Sequence, residues 1–149
     1  MSATAQDLLE ERAIEAVLNQ YARACDERNW NALGAVFGAD ASVNYGGEFK
    51  LQGREPIVDM VRSMLGGCGP TQHLLGNFDI TVSETSATCR CYVRAVHAGT
   101  GEQSGQYYEV WAEYRDTLKK TGNAWHITER EMAVSQEVGT RAVLRPEVS

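Results

Sequence analysis

Four long runs fill the second half of this chain, Gln72–Val82, Ala87–Val96, Gln106–Leu118 and Ala124–Val134, each rich in β-branched and aromatic residues. The stretches between them, SETS, AGTGEQSG and KTGN, have the composition of turns. Runs joined in this way read as antiparallel strands, and a sheet with one apolar face must bury that face against something else. The first half supplies the cover. From Ala5 to about Arg28 the residues Leu9, Ala13, Ile14, Val17, Leu18, Tyr21 and Cys25 recur at steps of three and four, the spacing of one helix face. WNALGAVFG reads as a second, short helix ending at Gly38, and EPIVDMVRSML as a third, with Pro early and Ile57, Val58, Val61 and Leu65 on one side. ASVNY is a short strand closed by Gly46 and Gly47. The expected fold is α+β: a curved, mostly antiparallel sheet wrapped around N-terminal helices, leaving a pocket between them. One domain covers 1–149, its last part, about 136–149, being a C-terminal tail over the surface or a neighbour.

A chain of 149 residues can bury one sizeable core. Twenty acidic against fourteen basic residues give a net charge of −6, and LKK near Leu118 is the sole basic cluster, which argues against a nucleic-acid partner. No apolar run approaches the roughly 18 residues of a membrane span. The start, MSATAQDLLEER, carries acids where a leader would carry basic residues, so the expected location is the cytoplasm, with no membrane partner. Cys25, Cys68, Cys89 and Cys91 lack C-x-x-C spacing and read as free thiols, with no metal site.

The residues that could do chemistry are few. His73 opens the first long run, and if that run is a strand, His73, Leu75 and Asn77 share one face. Which face is inside stays open, because Leu74, Phe78 and Ile80 compete with it. Asp26 closes the first helix, where a short acidic side chain could equally serve to cap the amides that open the next one. Tyr45 and His97 are unremarkable singly. Arg130 has the wrong parity to join Trp125 and Ile127 in the core unless a bulge intervenes.

Taken together these side chains suit one kind of reaction. A carboxylate within hydrogen-bond reach of a histidine fixes the imidazole tautomer and stabilises the imidazolium formed when a proton is taken up. A nearby tyrosine can donate to a developing oxyanion. Such equipment removes a proton next to a carbonyl and expels a leaving group, without metal or organic cofactor.

The stretches YARACDERNWNALGAVFGADASVNYGG, TQHLLGNFDITVSETSATCRCYVRAVH and GNAWHITERE resemble the SnoaL-like branch of the nuclear-transport-factor-2-like superfamily, and within it the scytalone-dehydratase-like dehydratases and dehydrochlorinases. The resemblance implies a cone-shaped α+β barrel. It implies that Asp26 is the carboxylate of an Asp–His dyad, His73 the acid/base, His97 a second histidine that pairs with that Asp, and Tyr45 a water-holding tyrosine. Tyr21 and Arg130 match substrate-site positions of relatives. Cys25 stands where scytalone dehydratase has a second tyrosine, and QYYEVWAEY lacks that enzyme's Ser and Asn, which puts scytalone itself in doubt as substrate.

The expected function is a cofactor-independent lyase acting on a small cyclic carbonyl compound. The alternatives are a ketosteroid-isomerase-like double-bond shift, which could recruit Asp40 and Tyr21, and a non-catalytic binding module. Phe49, Met64, Leu65, Met132 and Val134 are candidates to shape the pocket. Tyr107, Trp111 and Trp125 are candidates for an apolar outer face, and with it the expectation of a homo-oligomer, by resemblance a trimer rather than a dimer.

Overall fold

The computed structural model describes residues 3–148. In chain order it contains helix α1 (Ala5–Glu27), helix α2 (Trp30–Ala35), strands β1 (Phe37–Tyr45) and β2 (Phe49–Gln52), helix α3 (Arg54–Leu65), and strands β3 (Thr71–Ser83), β4 (Ser86–Ala98), β5 (Tyr107–Thr121) and β6 (Ala124–Gly139). Short 3₁₀ turns follow β4 and β6.

Helix α1 starts where Thr4 and Asp7 satisfy each other's backbone amides in a reciprocal cap. It stops at Arg28, which adopts the left-handed conformation at φ 55°. That conformation costs a non-glycine residue about 1–2 kcal/mol. The Arg28 guanidinium offsets it by donating to the carbonyls of Cys25, Asp26 and Gly69 and to the Thr71 hydroxyl, so the helix end is tied to the start of β3. Asn29, not Asp26, caps α2.

The pattern WNALGAVFG predicts helix through Gly38, yet α2 ends at Ala35 and β1 has already begun at Phe37. Pairing decides this: Phe37 aligns with Ile127, and the Ile127 amide donates to the Val36 carbonyl. Helix propensity gives way to a ladder formed with a strand ninety residues downstream. The same pairing lengthens the expected strand ASVNY into all of β1. Strand β2, a short edge paired with β1, has no counterpart in the sequence pattern.

The six strands lie in the order β2-β1-β6-β5-β4-β3. All neighbours are antiparallel except β1 and β6, which run parallel. The sheet does not close, so the expected barrel is an open cone with β2 and β3 as its edges. In the segment expected as a surface tail, strand β6 runs to Gly139 and Val143 is fully buried, while most of the described residues from 136 on are exposed. Trp125, one of the candidates for the outer face, is buried, and its Nε1 donates to Glu10 of α1 at 2.6 Å. The core lies between the concave face of the sheet and the helices, with Ile14, Leu18 and Cys25 of α1 and Ile57 of α3 fully enclosed. None of the described helices is long and apolar enough to cross a membrane.

Three irregularities aim the side chains that matter. In β3 the register slips between Gly76 and Asp79, with Asn77 at φ 55°. Before the slip Thr71, His73 and Leu75 point inward; after it Phe78, Ile80 and Val82 do, and Leu74 is left 64% exposed. The bulge removes the competition between His73 and Ile80 for one face. In β6 a slip opposite Thr117 and Leu118 makes Thr128 the extra residue, which turns Arg130 inward after Trp125 and Ile127. A second slip at Ser135 leaves Glu137 opposite Val110 on the concave side.

Candidate active site

Asp26 sits in the last turn of α1 and His73 two residues into β3. Asp26 Oδ1 lies 2.7 Å from His73 Nδ1 and accepts from the Thr71 hydroxyl at 2.9 Å, while Oδ2 accepts from the His73 backbone amide at 2.9 Å. Thr71 in turn accepts from Arg28. Burial pushes the Asp26 carboxyl up, but the hydrogen bonds from His73 and Thr71 outweigh it and hold the group below its ordinary value. A charged carboxylate can only accept, so Nδ1 carries a proton, and in the neutral ring His73 Nε2 then presents a lone pair. His73 forms part of the wall of a cavity of about 800 Å³.

That cavity lies between α3, the turn after β1, and the concave faces of β4, β5 and β6. Phe49, Met64, Leu65, Met132 and Val134, the five side chains expected to shape it, all line it. So do Tyr21, Tyr45 and His97. His97 is buried on β4, its ring centroid 5.4 Å from that of His73 and nearly perpendicular to it. Its Nδ1 is 3.1 Å from the carbonyl of Tyr108, so it pairs with β5 backbone and not with Asp26, as the resemblance had implied. Burial, reinforced by the neighbouring His73, pushes the His97 imidazole down to about 4.

The Tyr21 and Tyr45 hydroxyls are 2.9 Å apart and buried. One donates to the other, leaving one O–H of the pair free to donate elsewhere. Burial raises both phenols, so both stay protonated at neutral pH. Arg130 lies behind them. Its side chain has no accessible surface and does not reach the cavity. It is clamped between the rings of Tyr21 and Tyr114, 4.2 and 3.9 Å from their centroids, and forms two 2.7 Å bonds to the equally buried Asp116. Its Nη1 has no hydrogen-bond partner.

Asp116 is not among the candidates that the sequence offers, although it carries a signal. It falls on the parity of Tyr114 and Leu118, an acid on the apolar face of β5. Tyr108 and Glu137, also unforeseen, line the rim, the tyrosine hydroxyl donating to the carboxylate. Arg141 completes that rim and is paired with both Glu137 and Glu48. Asp40 is exposed and outside the cavity wall, so the arrangement in which it would act with Tyr21 is not assembled. A second concavity, an open groove on the outer face of the sheet near Lys50, Asp79 and Arg90, contains neither histidine nor tyrosine.

An open α+β cone with polar side chains converging inside its mouth defines the nuclear-transport-factor-2-like class. Within it, the chain belongs to the SnoaL-like domain family, whose family model matches residues 6–131. An uncharacterized protein of Mycobacterium tuberculosis strain H37Rv is 32% identical over 120 residues, covering 78% of this chain and 80% of its own. The solved structure of a candidate scytalone dehydratase from Novosphingobium aromaticivorans superimposes with a TM-score of 0.85 at 28% identity, covering 99% of this chain and 98% of that one. A hexachlorocyclohexane dehydrochlorinase from Novosphingobium barchaimii shares the fold, with a TM-score of 0.78 at 16% identity over 89% of this chain and 91% of that one.

Proposed function

We propose that this protein is a cofactor-independent lyase that eliminates water, or a similar leaving group, from a small cyclic carbonyl compound. The observation that carries the reading is the Asp26–His73 hydrogen bond at the wall of an open-mouthed cavity, which in the neutral ring leaves Nε2 of this wall residue with a lone pair. His73 takes the proton from the carbon next to the substrate carbonyl, and the C–H electron pair moves into an enolate. Asp26 holds the imidazolium that results. The free O–H of the Tyr21–Tyr45 pair donates to the enolate oxygen, with Tyr45 as the donor. The enolate then re-forms the carbonyl, its electrons make the new C=C bond, and the leaving hydroxide departs with the proton returned by His73, as water. The dehydratase and dehydrochlorinase names of the structural neighbours fall in the same reaction class.

The substrate in this reading is uncharged. Arg141, the one cation of the described cavity wall, already faces Glu137 and Glu48, and Arg130 is neutralised by Asp116. A cytoplasmic homo-oligomer, a trimer rather than a dimer, belongs to the same reading; Tyr92 and Tyr107, each 58% exposed, are the outer aromatics available to it. Sedimentation showing a monomer at micromolar concentration would remove the assembly without touching the chemistry.

The chemistry is tested by incubating the protein with a panel of cyclic β-hydroxyketones and following conjugated-enone absorbance, with loss of water checked by mass. Turnover that disappears in His73→Ala supports the lyase. Turnover unchanged in that variant overturns it.

A further inference from the structure

A proton inventory of the two histidines constrains what can sit between them. A carbonyl oxygen only accepts, so the His97 nitrogen bonded to Tyr108 must carry hydrogen, and in a neutral ring the other nitrogen is then bare. Neutrality is what the surroundings favour: burial comes first, then the adjacent His73. The groups facing His97 are His73, with Asp26 and Arg28 behind it, and the ring of Tyr108 at 5.4 Å. Among the described residues His97 Nε2 has no partner, and the sole fully enclosed side-chain atom without one is Nη1 of Arg130, so Nε2 keeps accessible surface in a residue that lines the cavity. In its neutral form His73 is in the same condition, its Nδ1 proton committed to Asp26.

When the His73 ring is neutral, as a base must be, two bare nitrogens therefore belong to rings whose centroids are 5.4 Å apart. In that state they cannot hydrogen-bond to each other, and no cation of the described cavity wall is free to satisfy them. A neutral imidazole with a bare Nε2 also cannot be the acid that protonates a departing hydroxide. What it can do is accept.

We infer that His97 is a specificity-determining hydrogen-bond acceptor, selecting uncharged cyclic substrates that carry a free hydroxyl, a phenol or enol O–H, beside the carbon from which His73 takes its proton. The assignment of His73 as base rests on the lyase reading; the acceptor role of His97 is separate from it. A site built to receive a hydroxyl discriminates against analogues lacking it, because its own polar group is then left dry and unpaired. A preference of about tenfold to a hundredfold follows from leaving one buried acceptor unsatisfied.

The probes are 2-naphthol, 2-methoxynaphthalene and naphthalene, titrated by calorimetry into the native protein and into His97→Phe and His73→Phe, with folding checked by circular dichroism. The native protein is expected to bind 2-naphthol at least tenfold more tightly than both other probes. In His97→Phe the preference should vanish while naphthalene still binds; in His73→Phe it should persist. A preference surviving in His97→Phe, or lost only in His73→Phe, overturns the inference. Long-range ¹H–¹⁵N correlation at neutral pH provides a readout that needs no variant: His97 should show its proton on Nδ1, and a proton on Nε2 would overturn the proposal. None of these measurements requires turnover, so a protein that prefers the naphthol yet eliminates nothing would refute the lyase and leave the acceptor standing.

Discussion

The carboxylate of Asp26 holds His73 by two groups at once, Oδ1 at 2.7 Å from the ring Nδ1 and Oδ2 at 2.9 Å from the backbone amide. The ring cannot turn without breaking one bond, and β3 cannot slide without breaking the other. Asp26 stands at the C-terminal end of α1, the electronegative end of the helix dipole, where a carboxylate is disfavoured by a few tenths of a kcal/mol or more. Its position serves β3 and not the helix.

Replacing Asp26 by Asn retains shape but withdraws the charge and one acceptor. On the precedent of catalytic triads, activity should fall on the order of a thousandfold or more. His73→Ala should abolish most of it, and the double variant should be scarcely worse than the worse single one, because both changes disable the same base. A double-mutant cycle on kcat/KM checks this; losses that multiply would show two residues acting independently.

Tyr45→Phe and Tyr21→Phe each leave the partner hydroxyl without its buried bond, costing about 1–3 kcal/mol of stability. Their kinetics should differ. Loss of the donor to the enolate lowers kcat by on the order of a hundredfold with little change in KM, and Tyr45→Phe is expected to show that pattern. Equal effects of the two changes on kcat would remove Tyr45 from the donor role.

Arg130 and Asp116 form a fully enclosed ion pair. Arg130→Met or Asp116→Leu alone strands a charge and should destabilise the protein by roughly 3–5 kcal/mol. Combining them should recover most of the loss, since an apolar pair of similar volume can replace a buried salt bridge. Urea denaturation of the three variants measures it, and additive losses would mean that the charges do not depend on each other.

His97 gives stability a pH dependence with a definite sign. Its imidazole is pushed down to about 4 from an ordinary 6.5, so below pH 6.5 the unfolded chain takes up a proton that the folded one refuses. Stability should fall as pH drops from 6.5 to 4, by roughly 3 kcal/mol, and this contribution should level off below 4. Asp26, whose value is lowered, loses its contribution only at still more acid pH. Denaturation of the native protein and His97→Gln at pH 7, 5.5 and 4 isolates the histidine: the native curve should fall more steeply. Parallel curves would show that His97 is not held neutral by the fold.

Local order determined much of this protein before any tertiary contact was known. The three- and four-residue recurrence from Leu9 to Cys25 places α1, the β-branched runs bounded by SETS, AGTGEQSG and KTGN place four strands, and the family resemblance points to Asp26, His73, Tyr45 and His97. Periodicity and turn chemistry act within a few residues, so one chain suffices to read them. The facing of the key side chains was another matter. His73 points inward, and Ile80 with it, because β3 bulges at Asn77; Arg130 is enclosed because β6 bulges at Thr128; and β1 begins at Phe37 because β6 is there to pair with it. A slip of one residue exchanges the two faces of a strand, and the register that sets the slip is chosen by hydrogen bonds to a neighbour far away in the chain. The partner of His97 was decided in the same way: a carbonyl of β5 reached its Nδ1 while His73 occupied Asp26, a competition that exists only once the strands lie side by side.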